Sequence, residues 1–235
     1  MAASLSIVMP VYNERDVIER VISEIRAAGA GEMEIVAYDD GSKDGSGALL
    51  DELERRGWIR ALHGDANRGY DAAVTAALRA ARGDLIHLSD SDGQHDPRDL
   101  LKLLEVQRSE GADLVVGWKR PRRDPAARLV LSAGMNAICR WFFGSKLHDA
   151  NCGFRVMTRD LRDAILPKVG KLPTFVSTEC SVRAQAMGYR VREVVVTHRP
   201  RASGKSRSFP ISKVPRILAR VGRGFLALYR ELHAR

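Results

Sequence analysis

Residues 84–97 read DLIHLSDSDGQHDP. An apolar run breaks into a loop in which seven of the ten residues from 88 to 97 are polar or charged and three are aspartates. Crowding carboxylates at the end of a buried strand costs free energy, because like charges repel and each loses hydration. Asp, Gly and Pro form turns, so a tight turn is one reading of the stretch. The other is a divalent-cation site, in which an ion supplies the positive charge the loop lacks. The rest of the chain decides between them.

The arrangement recurs. LSIVMP (5–10) is an apolar run stopped by Pro10 and followed by VYNER, and EIVAY (34–38) runs into the acidic, Gly-rich DDGSKDGS (39–46). Between them Val17, Ile18, Val21, Ile22 and Ile25 keep a helical period closed by Gly29. A helix to about Arg56, a strand at WIRALH (58–63), an Ala-rich helix (70–83), the strand DLIHL, a helix with Pro97 at its first position and the strand ADLVVGW (112–118) follow. This alternation predicts an α/β domain, a Rossmann-like, mostly parallel mixed sheet with helices on both faces. Ligands of such sheets bind at the carboxyl ends of strands, so the three polar turns converge on one rim. Past residue 118 the pattern changes to a basic loop, a helix over about 128–143, and a polar loop and short strand within HDANCGFRVMTRD (148–160). A helix capped by Thr158, another over 173–188 and a last strand over 189–198 complete it.

Composition narrows the class. With 235 residues, 45% of them hydrophobic, the chain can bury one large core. Its longest uncharged stretch of this kind, LVLSAGMNAIC (129–139), is far short of the ~20 residues of a membrane span. The N-terminus lacks a basic, apolar leader pattern, and Cys139, Cys152 and Cys180 have no metal-type spacing, which suits reduced thiols in a cytoplasmic protein. The formal charge of +9 is local. Residues 199–235 hold ten Lys or Arg and one acid, Glu231, and the remainder is balanced. On a helical wheel Val214, Leu218, Val221, Phe225, Leu228, Tyr229 and Leu232 share one face and Arg216, Arg220, Arg223 and Arg230 the other. Such a helix suits an anionic membrane surface, or packs on its own domain. Without interleaved aromatics the basic tail does not read as a nucleic-acid partner.

VMPVYNE, YDDGSKDGS, SDSDGQHDP, DANCGFR and HRPRASGKS, in that order over about residues 4–210, resemble glycosyltransferase family 2, specifically its dolichol-phosphate mannose synthase and polyprenyl-phosphate glycosyltransferase branch. The resemblance implies a GT-A fold (1–210) followed by the basic amphipathic helix (211–235), a nucleotide-sugar donor linked through GDP or UDP, and Mg²⁺ or Mn²⁺. Hard oxygens suit such ions, and Asp90, Asp92 and Gln94 offer them. Asp92 and Gln94 are the implied direct ligands, with Asp90 nearer the ribose; His95 and Asp96 are loop and capping residues. Pro10, Tyr12, Glu14, Asp39, Asp40 and Arg68 match positions around the nucleotide. Asp39 can alternatively cap its turn, and Glu14 can serve as an N-terminal charge of the first helix. Asp71 stands where the family usually has Gly.

The acceptor implied is a polyprenyl monophosphate, dolichyl or undecaprenyl, met at the inner face of the membrane by a peripheral enzyme. A phosphate is already anionic and needs cations rather than a general base. The resemblance points to Lys119 (often Arg in relatives), Arg128, Ser132, Arg201 and Lys205, with Asp92, Arg128, Arg201 and Lys205 the residues implied in catalysis by in-line, inverting attack. Arg120, Arg122 and Arg123 also read as a solvated face, and Arg155 as either a site residue or a structural partner of Asp149. The rival readings are a family 2 transferase with a hydroxyl acceptor, and a non-catalytic nucleotide-sugar-binding membrane scaffold. Oligomeric state is open.

Overall fold

The computed structural model describes residues 4–122, 126–200 and 214–234, without the side chains of 126–128 and 214–218. In chain order the elements are β1 (Leu5–Val11), α1 (Arg15–Ala27), β2 (Met33–Asp39), α2 (Ser46–Arg55), β3 (Arg60–His63), α3 (Tyr70–Ala80), β4 (Leu85–Leu88), α4 (Asp99–Glu110) and β5 (Leu114–Lys119). They continue as α5 (Ala126–Phe143), β6 (Arg155–Thr158), α6 (Arg159–Ile165), α7 (Val176–Ala186), β7 (Val191–Val196) and α8 (Val214–His233). One seven-stranded sheet runs β3-β2-β1-β4-β6-β5-β7, and β6 alone is antiparallel to its neighbours.

The order explains the site. From β1 the chain winds outward through β2 to β3, then returns across both to β4 on the other flank of β1. Right-handed crossovers put α1 and α2, which touch each other, on one face and α3, which packs on β1 and β2, on the opposite face. The winding reverses between β1 and β4, and a crevice opens beyond their carboxyl ends. β1 is buried along all seven residues, which is why it reads as a continuous apolar run.

Two sequence expectations shift. Pro10 does not stop β1, which pairs with β2 up to Val11↔Asp39. Pairing with β4 ends at Val8↔Leu88, and Pro10 points to that same, now open, side, where no ladder donor is needed. Pro97 is not the first residue of α4 either. The helix begins at Asp99, and Pro97 sits in a preceding turn in which the Asp96 carboxylate accepts from Arg98 N at 3.0 Å. The Thr158 cap is as expected, accepting from Leu161 N at 3.3 Å.

The basic helix α8 packs on the domain. Val221, Phe225 and Leu228 are buried in a second apolar cluster with Cys139 of α5, Val182 of α7 and Leu172. The backbones approach so closely that a Cβ on Gly224 would collide with Lys171 O. Arg183, 1% exposed at its side chain, is held between Glu179 at 2.9 Å and Glu231 of α8 at 2.7 Å. The three cysteines are buried and free.

His87 of β4 lies 1% exposed, with its Nδ1 3.0 Å from Arg155 O. Burial pushes its pKa from 6.5 down to about 3, against the pull of the Arg155 carbonyl. The unfolded chain regains the ordinary value, so between pH 6.5 and 3 it binds a proton that the folded chain refuses. The His87 contribution is therefore complete above pH 6.5 and is lost as pH falls, by at most about 1.4 kcal/mol per pH unit. Urea unfolding between neutral pH and about pH 5 should show this slope in the wild type and a shallower one in His87→Gln. Equal slopes would exclude His87 as the cause.

Candidate active site

The turns after β1 and β2 are zipped together. Asn13, in the left-handed region at φ 52°, accepts from Lys43 N at 2.7 Å and donates its own N–H to Ser42 Oγ at 2.8 Å. Glu14 N donates to Ser46 Oγ at 2.9 Å and Arg15 N to Asp44 at 3.2 Å. Glu14 occupies the N-cap position of α1 without a side-chain capping bond, and Tyr12 is half-buried beside it, just past the buried Pro10.

The acids of DDGSKDGS are spent on the scaffold. Asp39, 5% exposed, accepts from Ser42 N at 3.0 Å, the turn-capping arrangement. Asp40, 2% exposed, accepts from Arg68 N at 3.0 Å and Gly69 N at 2.8 Å, and so fixes the loop that enters α3. The Arg68 side chain is exposed above that anchor. Asp71 bridges α3 to α7, accepting from Thr174 N and Val176 N, and burial raises its pKa.

Asp90 is set differently. Tyr70 Oη donates to it at 2.8 Å, and His95 Nε2 lies 3.7 Å away. His95 is buried, stacked on Phe154 with ring centroids 4.9 Å apart, and paired across an isolated bridge with His198. The carboxylate lies across Gly153 so tightly that a Cβ there would sit 2.8 Å from Oδ2 and 2.9 Å from Oδ1. That is the physical reason for a glycine in CGFR. Burial opposes ionisation of Asp90, but His95, Tyr70 and the Lys119 charge outweigh it and hold its pKa at about 2.

Two residues along the loop, Asp92 accepts from Gln94 N at 3.0 Å. Gln94 donates Nε2 toward Arg199 O at 3.4 Å and accepts from Arg199 N at 2.7 Å. The Arg199 guanidinium clamps Glu24 at 2.7 Å and Asp96 at 2.9 Å, tying this loop to the segment after β7.

The donor set fits a hard cation that also binds phosphate. Among the described residues no three His, Cys, Asp or Glu side chains gather as a closed metal site. Two carboxylates and the Gln94 carbonyl would leave coordination positions for diphosphate oxygens, as Mg²⁺-type sites require.

A cationic centre lies on the other side of the CGFR loop. Asp149 is 1% exposed, with Lys119 Nζ 3.5 Å from Oδ2 and Arg122 Nη1 3.6 Å from Oδ1. Neither oxygen has a hydrogen-bond partner among the described residues. Arg122 also donates to Ser132 Oγ at 2.7 Å. Lys119 has a raised pKa: burial lowers it, and Cys152 and Asp149 more than offset that.

Arg122, for which a solvated face was the alternative sequence reading, thus belongs with Lys119 and Ser132, whereas Arg120 lies 5.1 Å over the Trp118 ring. Arg155 is not the partner of Asp149. It is fully buried and spends its N–H groups on Ala150 O, Cys152 O, Ser177 O and Ser181 Oγ, tying the 150–152 loop to α7. The Arg128 side chain, Arg201 and Lys205 lie outside the described residues. Sequence reasoning missed Tyr70 and left Arg122 open between the basic site and a solvated face. Tyr70 lies twenty residues from its partner Asp90, and the only local signal for Arg122 is the density of the basic loop.

With sheet order and rim in view, the comparisons fall into place. Residues 6–166 match the model of glycosyl transferase family 2. The chain belongs to that family. It is 32% identical over 213 residues to the polyprenol monophosphomannose synthase of Mycolicibacterium smegmatis, covering 86% of this chain and 79% of that protein. It is 35% identical to glycosyltransferase AglD of Haloferax volcanii, covering 86% of this chain, but spans only 34% of that protein's length. It is 32% identical to the undecaprenyl-phosphate 4-deoxy-4-formamido-L-arabinose transferase of Pseudomonas paraeruginosa, covering 86% of this chain and 60% of that protein. In fold it is similar to glucosyl-3-phosphoglycerate synthase from Mycobacterium tuberculosis, solved with Mn²⁺, UDP and glucosyl-3-phosphoglycerate. The TM-score is 0.72 at 21% identity over 97% of this chain and 80% of that one. A mannosyltransferase from Pyrobaculum calidifontis, solved with GDP-Man and Mn²⁺, gives 0.67 at 20% identity over 98% of this chain and 65% of that one. These neighbours are GT-A glycosyltransferases, and the present sheet is of that type.

The wedge under Asp90 is testable. Gly153→Ala must push the carboxylate aside, since a Cβ contact of 2.8 Å is not tolerated. Turnover should fall by about 10²-fold, with melting temperature little changed. Wild-type turnover in this variant would remove the Asp90–Gly153 contact from the account.

Proposed function

We propose that this protein transfers a sugar from a GDP- or UDP-linked donor to a polyprenyl phosphate, with inversion, at the cytoplasmic face of a membrane. The observation that carries the acceptor class is the cationic centre of Lys119, Arg122 and Ser132 around Asp149, next to the loop that seats Asp90. A phosphate monoester enters as an anion. It needs positive charge and orientation, and no base has to remove a proton. Arg122 offers a planar fork beside the Ser132 hydroxyl, and Lys119 a point charge. Arg128, Arg201 and Lys205, implied by the sequence resemblance, complete the proposed set. The mycobacterial and Pseudomonas relatives, whose names specify prenyl-phosphate acceptors, support the same class.

The donor is assigned to the opposite side of Gly153. Tyr12, Glu14, Asp40 and the Arg68 loop line the proposed nucleotide side, and Asp39 stabilises its turn. Asp90, Asp92 and Gln94 would hold Mg²⁺ or Mn²⁺, which when bound neutralises the departing nucleoside diphosphate. Tyr70 fixes the direction of Asp90, and Asp92 is fixed by Gln94 N. In this reading the acceptor phosphate would attack the anomeric carbon on the face away from the leaving group, which gives inversion.

A second reading, a hydroxyl acceptor, has one observation in its favour: Asp149 is a buried carboxylate without a hydrogen-bond donor among the described residues. A base for a hydroxyl must accept a proton, and Asp149 stands between two cations, which oppose that.

An acceptor panel separates the two. Undecaprenyl phosphate and 3-phosphoglycerate, each offered with GDP- and UDP-sugars and Mn²⁺ or Mg²⁺, should give product with the lipid phosphate alone. Arg122→Ala should raise KM for that acceptor at least about tenfold and leave donor KM nearly unchanged. Transfer to the hydroxyl acceptor only, or an equal effect of Arg122→Ala on donor KM, would overturn the acceptor assignment.

A further inference from the structure

Helix α5 is apolar on the side that faces water. Its eighteen residues, AARLVLSAGMNAICRWFF, include two charges, Arg128 and Arg140. At 100° per residue, Val130, Trp141, Gly134, Ile138, Leu131 and Phe142 fall within an arc of about 120°. All six are exposed, Val130 at 72%, Leu131 at 51%, Phe142 at 58% and Trp141 at 86%. The opposite side is the one that packs, with Cys139 at 1% and Asn136 at 6%. A helix that is apolar all round is ordinarily enclosed, by protein or by lipid. Contiguous exposed apolar surface of this kind marks an interface.

The patch extends onto α8. Phe142 meets Tyr229 edge-on, with ring centroids 6.2 Å apart, and Leu226 of α8 is 49% exposed. Beyond Leu226 that helix turns outward with Arg223 and Arg230, both exposed. The single acid of the two helices, Glu231, is already paired with Arg183. Among the described residues of α5 and α8, the free charges beside the apolar arc are therefore cations.

We propose that the outer face of α5, with Tyr229 and Leu226 of α8, is the surface by which this protein lies on an anionic bilayer. Trp141 and Phe142 enter the boundary between headgroups and acyl chains, while Arg223 and Arg230 meet the phosphates. A second copy of the chain fits worse, because its arginine rim would face a like-charged rim. Neither helix is long and apolar enough to cross a membrane, so the arrangement lies on the surface. The face the sequence offered for this purpose, the Val221–Phe225–Leu228 stripe of α8, is used up against the domain. The proposal gains its purpose from the function proposed above: Ser132 is on the same helix, so an acceptor phosphate reaches Arg122 from the layer in which α5 lies.

The test uses the full chain and vesicles free of prenyl phosphate. Wild-type protein should sediment with mixed phosphatidylglycerol–phosphatidylcholine vesicles, less so in high salt, and weakly with phosphatidylcholine alone. Trp141→Glu/Phe142→Glu should lower affinity for the anionic vesicles at least about tenfold and leave turnover of a short, water-soluble prenyl phosphate unchanged. Trp141→Phe keeps the apolar face and should lose most of the fluorescence quenching by brominated lipids seen in the wild type, which decides the matter if the double variant fails to fold. Wild-type protein left in the supernatant, equal vesicle binding by the double variant, or equal quenching in Trp141→Phe would overturn the proposal. So would a concentration-dependent dimer that the double variant abolishes without any vesicle binding. Vesicle binding that behaves as expected, with no turnover of any prenyl phosphate, would instead sink the acceptor reading and leave the docking face standing.

Discussion

Six aspartates stand within the two turns after β2 and β4 at one rim of the sheet, and their mutual repulsion is the constraint around which this end of the molecule is built. The scaffold answers it mainly with main-chain N–H groups. Asp39, Asp40 and Asp44 each accept from a turn or loop-entry backbone, and Asp96 takes Arg98 and Arg199. Hydrogen bonds to the ionised form keep a carboxylate charged at small cost. Each bond also ties two loops together, so solving the charge problem makes the rim rigid. Asp90 is the exception. It is held by side chains, Tyr70 and His95, over a glycine, and it faces the crevice where the strand order reverses. The opening sequence question has a divided answer: most of the acids, Asp92 included, accept from turn backbone, and Asp90 is held over Gly153 by Tyr70 and His95.

Much of this was legible in the sequence because it depends on local rules. Strand–helix alternation, the parallel sheet and the convergence of the three turns follow from periodicity and crossover handedness. The capping role of Asp39 was visible as an alternative, and Thr158 capped as read. What was not legible depends on distant partners. Pro10 is tolerated only because β4 ends early beside it, which no pattern within residues 5–11 reveals. Tyr70 reaches Asp90 from another element, and Asp71, anomalous as a family residue, is explained by its bonds to the start of α7. Arg155 and Asp149 sit close in sequence near a loop of obvious interest. A pairing was the natural guess, yet the guanidinium turns inward to carbonyls and the carboxylate turns to Lys119 and Arg122.

The same lesson applies to the two exposed helices. A helical wheel of α8 displays a strong apolar stripe opposite arginines, and nothing in that pattern says what the stripe covers. Packing on α5 and α7 consumes it. The sequence of α5 is apolar along most of its length, and only its position at the edge of the fold leaves Trp141 and Val130 in water. The acid-rich crevice, the cationic centre and this apolar face follow one another across the molecule, linked by the 149–154 loop and then by Ser132 on α5.

The central claim is that Asp90 and Asp92 form a cation-dependent nucleotide site, and calorimetric titration tests it without any acceptor. UDP and GDP should be titrated into wild-type protein and Asp92→Asn, with and without Mn²⁺. For the nucleotide that serves as donor leaving group, the account predicts at least about tenfold tighter binding with Mn²⁺ in the wild type, lost in the variant, which keeps shape and removes charge. Equal nucleotide affinity with and without the metal, or a metal effect undiminished in Asp92→Asn, would contradict it.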